Sequence, residues 1–334
     1  MATASEIQAR VVRLYEEHPF PSIADKQAKV GAEMPIRLRL LGIGPGDYVG
    51  RRVLDAGCGT GEYACWYARQ GGQVTAVDLS EPSLRRASQY AADQGLSNMR
   101  FLKQSVLALN FPDGSFDYVY SMGVLHHTPD PYGGFRELCR VLRPGGVLIV
   151  SLYNRFSRLP HNARQALVRL VAGDDPDHRV AWATRLFPRT CRSLRRNRGE
   201  DSGAILYDAF AIPHESRHSI GAVLRWFDAN DIRYLGAFGP VTLRDNLLAL
   251  SLMRHREFDG FKGYFAGFPL AAWAVRALPH LAHPAATPDG RPPHAFPRPS
   301  RLSRGVVQLA WTVLGFRFSI FSLAGRKAEA AAER

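Results

Sequence analysis

The run Val53-Leu54-Asp55-Ala56-Gly57-Cys58-Gly59-Thr60-Gly61 sets three glycines and an acid close together behind an apolar start. Glycine has no Cβ, so such a run can turn sharply and let a ligand lie against its backbone. The spacing is GxGxG with an acid two residues ahead, not the GxGxxG of dinucleotide folds. Asp78 closes the next apolar run, Gln73 to Val77, where a carboxylate can accept hydrogen bonds from ribose hydroxyls. The chemistry these residues offer is the binding of a nucleoside-bearing ligand. His126 and His127 follow the apolar run Phe116 to Ser121, and a histidine there can serve as a general base. His127 is the first choice for that role, beside the plainer one of packing the loop.

These residues need a scaffold, and the surrounding pattern supplies it. Short apolar runs at Arg52 to Asp55, Gln73 to Val77, Met99 to Leu102, Phe116 to Ser121 and Val147 to Leu152 read as strands. Helical stretches lie between them. Glu62 to Gln70 stops at Gly71-Gly72, and the helix after Ser80 has that residue as its cap and Pro82 in its first turn. A further helix, Tyr132 to Leu142, ends at Pro144-Gly145-Gly146. Strands alternating with helices predict an α/β, Rossmann-like, doubly wound and mostly parallel sheet. An amphipathic helix over 5–18 precedes it, ended by His18-Pro19-Phe20-Pro21, and a loop holds Gly44-Pro45-Gly46-Asp47.

Composition narrows the class. The 334 residues are 46% hydrophobic, enough for a sizeable core, which excludes a disordered chain. Cys58, Cys65, Cys139 and Cys191 form no CxxC pair, so neither a disulfide scaffold nor a zinc ribbon is expected, and no metal site. The start carries Glu6, Glu16 and Glu17 and no apolar core of a signal peptide, so a cytoplasmic location is expected. Residues 306–325 have the length of a membrane span, but Arg317 sits inside them and argues against one. Basic residues outnumber acidic ones, 43 to 30, giving a formal net charge of +13. The lysines are only Lys26, Lys29, Lys103, Lys262 and Lys327, so the excess is arginine, densest at Arg185, Arg189, Arg192, Arg195, Arg196 and Arg198.

Asp55-Ala-Gly-Cys-Gly-Thr-Gly61, Ala76-Val-Asp-Leu-Ser80 and Leu142-Arg-Pro-Gly-Gly146 together resemble the class I S-adenosylmethionine-dependent methyltransferases. Phe111-Pro-Asp-Gly-Ser-Phe-Asp117 and Gly123-Val-Leu-His-His127 are similar to the subgroup acting mostly on small molecules. The resemblance covers about 50–153 in order and implies a seven-stranded sheet with a terminal antiparallel strand. It implies S-adenosylmethionine as cofactor, with Gly57, Cys58, Gly59 and Gly61 along the methionyl part and Asp55 near its amino group. Asp78 would hold the ribose, Leu79 the adenine face, and Val106 would offer its N–H to the ring. The family often places an acid where this chain has Ser105, whose hydroxyl can still accept one hydrogen bond. Ser121 completes the set expected at the cofactor. No Pro-Cys dipeptide and no Asn/Asp-Pro-Pro-Tyr/Phe segment occurs, which argues against methylation of nucleic-acid bases by the known cysteine-dependent or amine-directed routes.

The resulting organisation is a helical lid at 1–50, a cofactor-binding core at 51–153, and an Arg-rich helical insertion at 154–218. A core continuation at 219–240, a hydrophobic, Pro-rich insertion at 241–316, and a last strand with a charged tail at 317–334 complete it. The late helix Ser219 to Asn230 and the strands Ile232 to Ala237 and Phe318 to Leu323 belong to the sheet. The expected reaction is methyl transfer to a small-molecule metabolite, at oxygen or nitrogen. Acid–base candidates are His127, His126 and His214, and acceptor contacts are Tyr15, Phe20 and Tyr153. A tRNA or rRNA partner bound by the arginine cluster is a second reading, disfavoured because aromatic residues do not interleave with it. Lipid or quinone methylation at a membrane surface, with Phe261 to Leu281 on the bilayer, is a third.

Overall fold

The computed structural model describes residues 3–20, 30–44 except 32, 36, 39 and 40, 48–196, 203–238, 298–313 and 320–329. The expected segments Phe261 to Leu281 and 241–297 lie outside them, as do Pro21, 45–47, Arg198 and Phe318. Among the described residues seven strands form one sheet: β1 (Arg52–Ala56), β2 (Gln73–Asp78), β3 (Met99–Lys103), β4 (Phe116–Met122), β5 (Leu142–Tyr153), β6 (Ile232–Phe238) and β7 (Ile320–Lys327). Their order is β3-β2-β1-β4-β5-β7-β6. β7 runs antiparallel to both its neighbours, and the other pairs are parallel. This is the α/β, Rossmann-like sheet that the alternation of strands and helices predicts. Strand order reverses between β1 and β4, and ligands of such sheets bind at the carboxyl ends beside that switch.

The period-two rule explains how each strand feeds two cores. Leu54, Val77 and Leu148 face one layer, with Phe135 and Leu138 of α4 (Pro131–Val141) and Phe227 of α8 (Ile220–Asp228). Their neighbours Val53, Ala76 and Ile149 face the other, with Trp66 and Tyr67 of α2 (Glu62–Arg69) and Leu84 of α3 (Glu81–Asp93). Ser80 caps α3 as the sequence predicts, accepting from the Ser83 N–H at 3.3 Å. α1 (Ala4–Glu17) opens with a full capping box between Thr3 and Glu6. Beyond β5 come α5 (Leu159–Ala172), α6 (Pro176–Leu186) and α7 (Pro188–Arg195), which pack around Val168, Ala183, Cys191 and Leu206 as a separate small core. α9 (Arg301–Val313) precedes β7.

Two expectations need correction. Pro144-Gly145-Gly146 does not lie outside the strand: β5 begins at Leu142, and its register with β4 shifts between Phe116 and Tyr118 to take up the kink. Gly145 makes this possible at φ +71°. Gly325-Arg326-Lys327 is not a tail but the end of β7. There the Lys327 ammonium donates to the carbonyls of Cys139 and Leu142, at 2.7 and 2.9 Å, satisfying the end of α4. The span considered at 306–325 divides between α9 and β7, and no described helix is long and apolar enough to cross a membrane. All four cysteines are free and buried.

Candidate active site

A cavity of about 1020 Å³ opens where β1, β2 and β4 end. One end of it is the glycine turn. Gly57 and Gly59 adopt φ of +84° and +52°, which keeps the chain close to the sheet. A Cβ on Gly59 would meet nothing within 4 Å, so that glycine leaves open space beside its backbone. Asp78 accepts from the N–H groups of Gly59 and Ser80, both at 2.9 Å, and so ties the turn to the end of β2. Asp55 is buried at the end of β1, and its Oδ2 has no hydrogen-bond partner. Burial pushes its carboxyl up to about 8, with the charges of Asp78 and Glu62 adding to the effect. Leu79, Ser105 and Val106 form the adjoining wall.

This arrangement fits the cofactor that the sequence motifs imply. A buried acid with an unused oxygen suits an ammonium, Asp78 a ribose, and the Leu79–Val106 wall an apolar ring. Ser105 lines the wall, but its hydroxyl already accepts from Gln8 Nε2 at 3.0 Å and from the Leu107 N–H at 3.2 Å. Cys58 lines the site as a thiol, since burial pushes its pKa well up. Arg37 and Glu33, both buried, also line the cavity, with 4.0 Å between their charged groups. Arg37 also donates to Met122 Sδ at 3.1 Å. Among the described residues it is a cation near the glycine turn, where a ligand carboxylate would need one. Neither residue is among the sequence candidates. The signal is the helical spacing of Val30, Met34 and Leu38, masked by Pro35.

Two residues expected at the cofactor do not line the cavity. Ser121 is fully buried and donates to the Ala56 carbonyl at 2.9 Å, fastening β4 to β1. Gly61 is the first cap of α2 at φ +81°, and a Cβ there would come within 2.8 Å of Ala87. Its service is close packing of α2 on α3.

The other end of the cavity gathers polar groups from distant segments. Tyr15 of α1 donates to Asp208 Oδ1 at 2.6 Å, and the same oxygen stands 3.9 Å from His127 Nε2. His127 Nδ1 is 3.3 Å from the His214 carbonyl, which fixes the proton on Nδ1 and leaves Nε2 facing Asp208. Burial lowers the His127 pKa below the usual imidazole range, so the ring is neutral at pH 7. Asp208 sits in a π-helical turn, Tyr207–Ala211, a wide coil that often marks functional positions. α1 lines the cavity through Gln8, Val11, Val12 and Tyr15 and is tied to the ends of β2 and β3. The Ser80 hydroxyl donates to the Tyr15 carbonyl at 3.2 Å, and Lys103 pairs with Glu16 at 3.5 Å.

The remaining expectations resolve into two kinds. Tyr15, Phe20, Tyr153 and His127 line the cavity. His126 does not, because its fully buried ring stacks on Tyr153 at 3.7 Å and accepts the Tyr153 N–H at 3.3 Å. Burial holds its pKa well below the usual value, and it acts as a structural peg. The His214 side chain also lies off the cavity; the site receives its carbonyl. Asp208, six residues before His214, carries the useful side chain in its place. Among the described residues no group of three or more His, Cys, Asp and Glu is placed to hold a metal.

Residues 54–150 match the family model described as a methyltransferase domain. Over 142 residues the chain is 37% identical to a ubiquinone biosynthesis O-methyltransferase from Paracidovorax citrulli, covering 42% of this chain and 56% of that one. Over 100 residues it is 41% identical to a sterol 24-C-methyltransferase from Gibberella zeae, 29% of this chain and 26% of that one. An uncharacterized Synechococcus protein is 29% identical over 226 residues, 60% of this chain and 54% of that one. The chain thus spans about half, or less, of the length of these curated relatives. Among solved structures, geranyl diphosphate methyltransferase in complex with SAM aligns at a TM-score of 0.43 and 16% identity, over 90% of this chain and 85% of that one. The matched segment is a class I S-adenosylmethionine-dependent methyltransferase domain.

Proposed function

We propose that the whole chain transfers the methyl group of S-adenosylmethionine to a small-molecule acceptor, with oxygen the favoured nucleophile. The observation that carries this reading is one continuous cavity. It joins the glycine turn, Asp55 and Asp78 to the cluster of His127, Asp208 and Tyr15. The cofactor supplies an activated methyl on a sulfonium, so alignment of the nucleophile provides most of the acceleration. The turn at Gly57–Gly59 and Asp78 position the nucleoside, Asp55 pairs with the amino group, and Arg37, held by Glu33, borders the place of the carboxylate. A hydroxyl acceptor must also lose a proton. His127 Nε2 takes it, with Asp208 stabilising the imidazolium and Tyr15 orienting Asp208. Ubiquinone-pathway O-methylation in a relative agrees with an oxygen nucleophile, and 24-C-methylation in another shows that related cores serve other atoms.

Binding of S-adenosylhomocysteine, measured by titration calorimetry, tests the cofactor half of this reading. Asp55 near 8 is largely protonated at pH 7 in the free protein and must ionise to pair with an ammonium. Binding at pH 7 is therefore expected to release a proton, seen as a heat that depends on the ionisation enthalpy of the buffer. Affinity rises between pH 6 and 8, by at most about ten-fold per unit for one proton. For the free protein the sign is opposite: the Asp55 contribution to stability is full below about 3.9 and is lost as pH rises through about 8. Asp55→Asn removes the proton release. Binding that is independent of both buffer and pH would overturn this role for Asp55.

A further inference from the structure

We infer that the acceptor carries an anionic group, a carboxylate or a phosphate, seated between Arg164 of α5 and Arg189 of α7. This rests on the methyltransferase reading of the same cavity and names its second ligand. Both signs of charge line the cavity, with Arg37 at the glycine-turn end and Asp208 on the far wall. Asp55, Asp78 and Glu62 lie at the glycine turn, while the wall built by the 154–218 segment bears Arg158, His161, Arg164 and Arg189. The cations of that wall are not equivalent.

Arg158 is committed. It is buried, donates to Glu215 Oε2 at 2.9 Å, and lies over the Tyr153 ring at 3.6 Å. His161 is also engaged, 2.9 Å from the Ala209 carbonyl, and burial takes its pKa down to about 4, so it is neutral. Arg164 and Arg189 have no carboxylate within 4.0 Å among the described residues. Arg164 has the Phe187 ring at 5.9 Å from its guanidinium carbon, and Arg189 is two residues further on. Both arginines line the cavity. Thr190 and Ser193 add hydroxyls from the same helix.

The spacing suits one acceptor. His161 and Gln165 of α5 both hold the carbonyl of Ala209, next to Asp208, at 2.9 and 2.8 Å. Arg164, on the same helix, lines the cavity together with Asp208. The cavity that holds the His127–Asp208 pair also carries these arginines, so one acceptor can contact both. Guanidinium groups recognise carboxylate and phosphate in a bidentate manner, and two of them in one cavity with no counter-ion among the described residues disfavour a neutral or cationic acceptor. Arg185, whose guanidinium lies 5.7 Å from the Trp182 ring, does not line the cavity and serves as a control.

Two measurements test this. In the first, the protein, S-adenosylmethionine with a labelled methyl group, and a cell extract split into RNA, lipid and aqueous small-molecule fractions are incubated, and labelled product is passed over an anion exchanger. Retained product is expected. The aqueous or the lipid fraction then tells whether the anion belongs to a free metabolite or to an amphiphile. Arg164→Gln and Arg189→Gln are expected to raise KM about ten-fold or more with kcat within about three-fold, whereas Arg185→Gln changes neither. Label in RNA, or product that passes the exchanger uncharged, overturns the inference. In the second, inorganic pyrophosphate is titrated into the protein saturated with S-adenosylhomocysteine. Heat stabilisation lost in Arg164→Gln and Arg189→Gln but kept in Arg185→Gln is expected, and equal behaviour of all variants overturns the site. Because this arm needs no turnover, a chain that binds the cofactor but labels nothing would defeat the methyltransferase reading and leave the anion site separately decided.

Discussion

Gly57→Ala is expected to abolish detectable binding of S-adenosylhomocysteine in calorimetry and to lower the melting temperature by several degrees. Gly57 holds φ +84°, a region that costs an L-residue roughly 1–2 kcal/mol. The turn has no freedom to relax. The N–H groups of Gly57 and Cys58 both donate to the Val77 carbonyl, at 2.8 and 2.9 Å, and this anchors the loop to β2. An added Cβ would stand 2.6 Å from Val124 Cγ1 and closer still to Cγ2. Val124 is β-branched with a stiff χ1, and it precedes the buried turn Leu125–His127. Either the glycine turn or the His127 turn must move, and each is a wall of the cavity. Gly59→Ala separates the two effects. Its Cβ would meet no protein atom within 4 Å, so only the left-handed backbone at φ +52° is strained, and ligand affinity should fall with a smaller loss of melting temperature than in Gly57→Ala. Binding by Gly57→Ala within ten-fold of the parent would show that the turn is not the cofactor cradle.

The contrast between these two glycines also marks how much of the site is legible in sequence. Local chemistry is readable: a GxGxG turn after an apolar strand, an acid at the end of the next strand, and Ser80 as a cap follow from backbone rules that act over a few residues. Gly57 and Gly61 look alike in that pattern, yet one borders the cavity and the other packs two helices, because their neighbours Val124 and Ala87 come from elsewhere in the chain. The same limit applies to His126 and His127. They are adjacent in a short turn, so their side chains diverge, one beneath Tyr153 and one toward Asp208. Asp208 reaches the cavity through a π-helical turn, a register that no periodicity in the sequence announces. Pro35 conceals the helical stretch that delivers Arg37. The end of β7 is hidden for another reason. Its charged residues find partners on the sheet edge, Arg326 with the Gly145 carbonyl at 2.8 Å and Lys327 with the end of α4, so their charge does not signal a solvated tail.

The net charge of +13 gains meaning from the same placement. Arginines of the cluster fall on different sides of α6 and α7, with Arg189 lining the cavity and Arg185 exposed beside Trp182. Arg179 is used inside the segment, bonded to the Gly173 carbonyl at 2.6 Å. Counting basic residues overstates the surface available to a polyanion, since part of the charge is spent inside the fold and part borders a small cavity.

His127→Ala and Asp208→Asn are expected to lower kcat about 100-fold or more, with affinity for S-adenosylhomocysteine within about three-fold of the parent. The reasoning is geometric. His127 presents Nε2 to the cavity because Nδ1 donates to the His214 carbonyl, and burial keeps the ring neutral and able to take a proton at pH 7. Asp208 stands 3.9 Å from that nitrogen and favours the protonated ring once it forms. Asp208→Asn removes that stabilisation with little change of shape, so it should also move the kcat profile along the pH axis. Tyr15→Phe frees the Asp208 oxygen from a 2.6 Å hydrogen bond and should shift the same profile with a smaller loss of rate. His214→Ala keeps the backbone carbonyl and should leave kcat within about three-fold. A merely structural role for His127 predicts otherwise: loss of stability or cofactor affinity in step with rate, and no change in the pH profile of Asp208→Asn. If His214→Ala falls as far as His127→Ala while cofactor binding holds, the proton leaves by a different route.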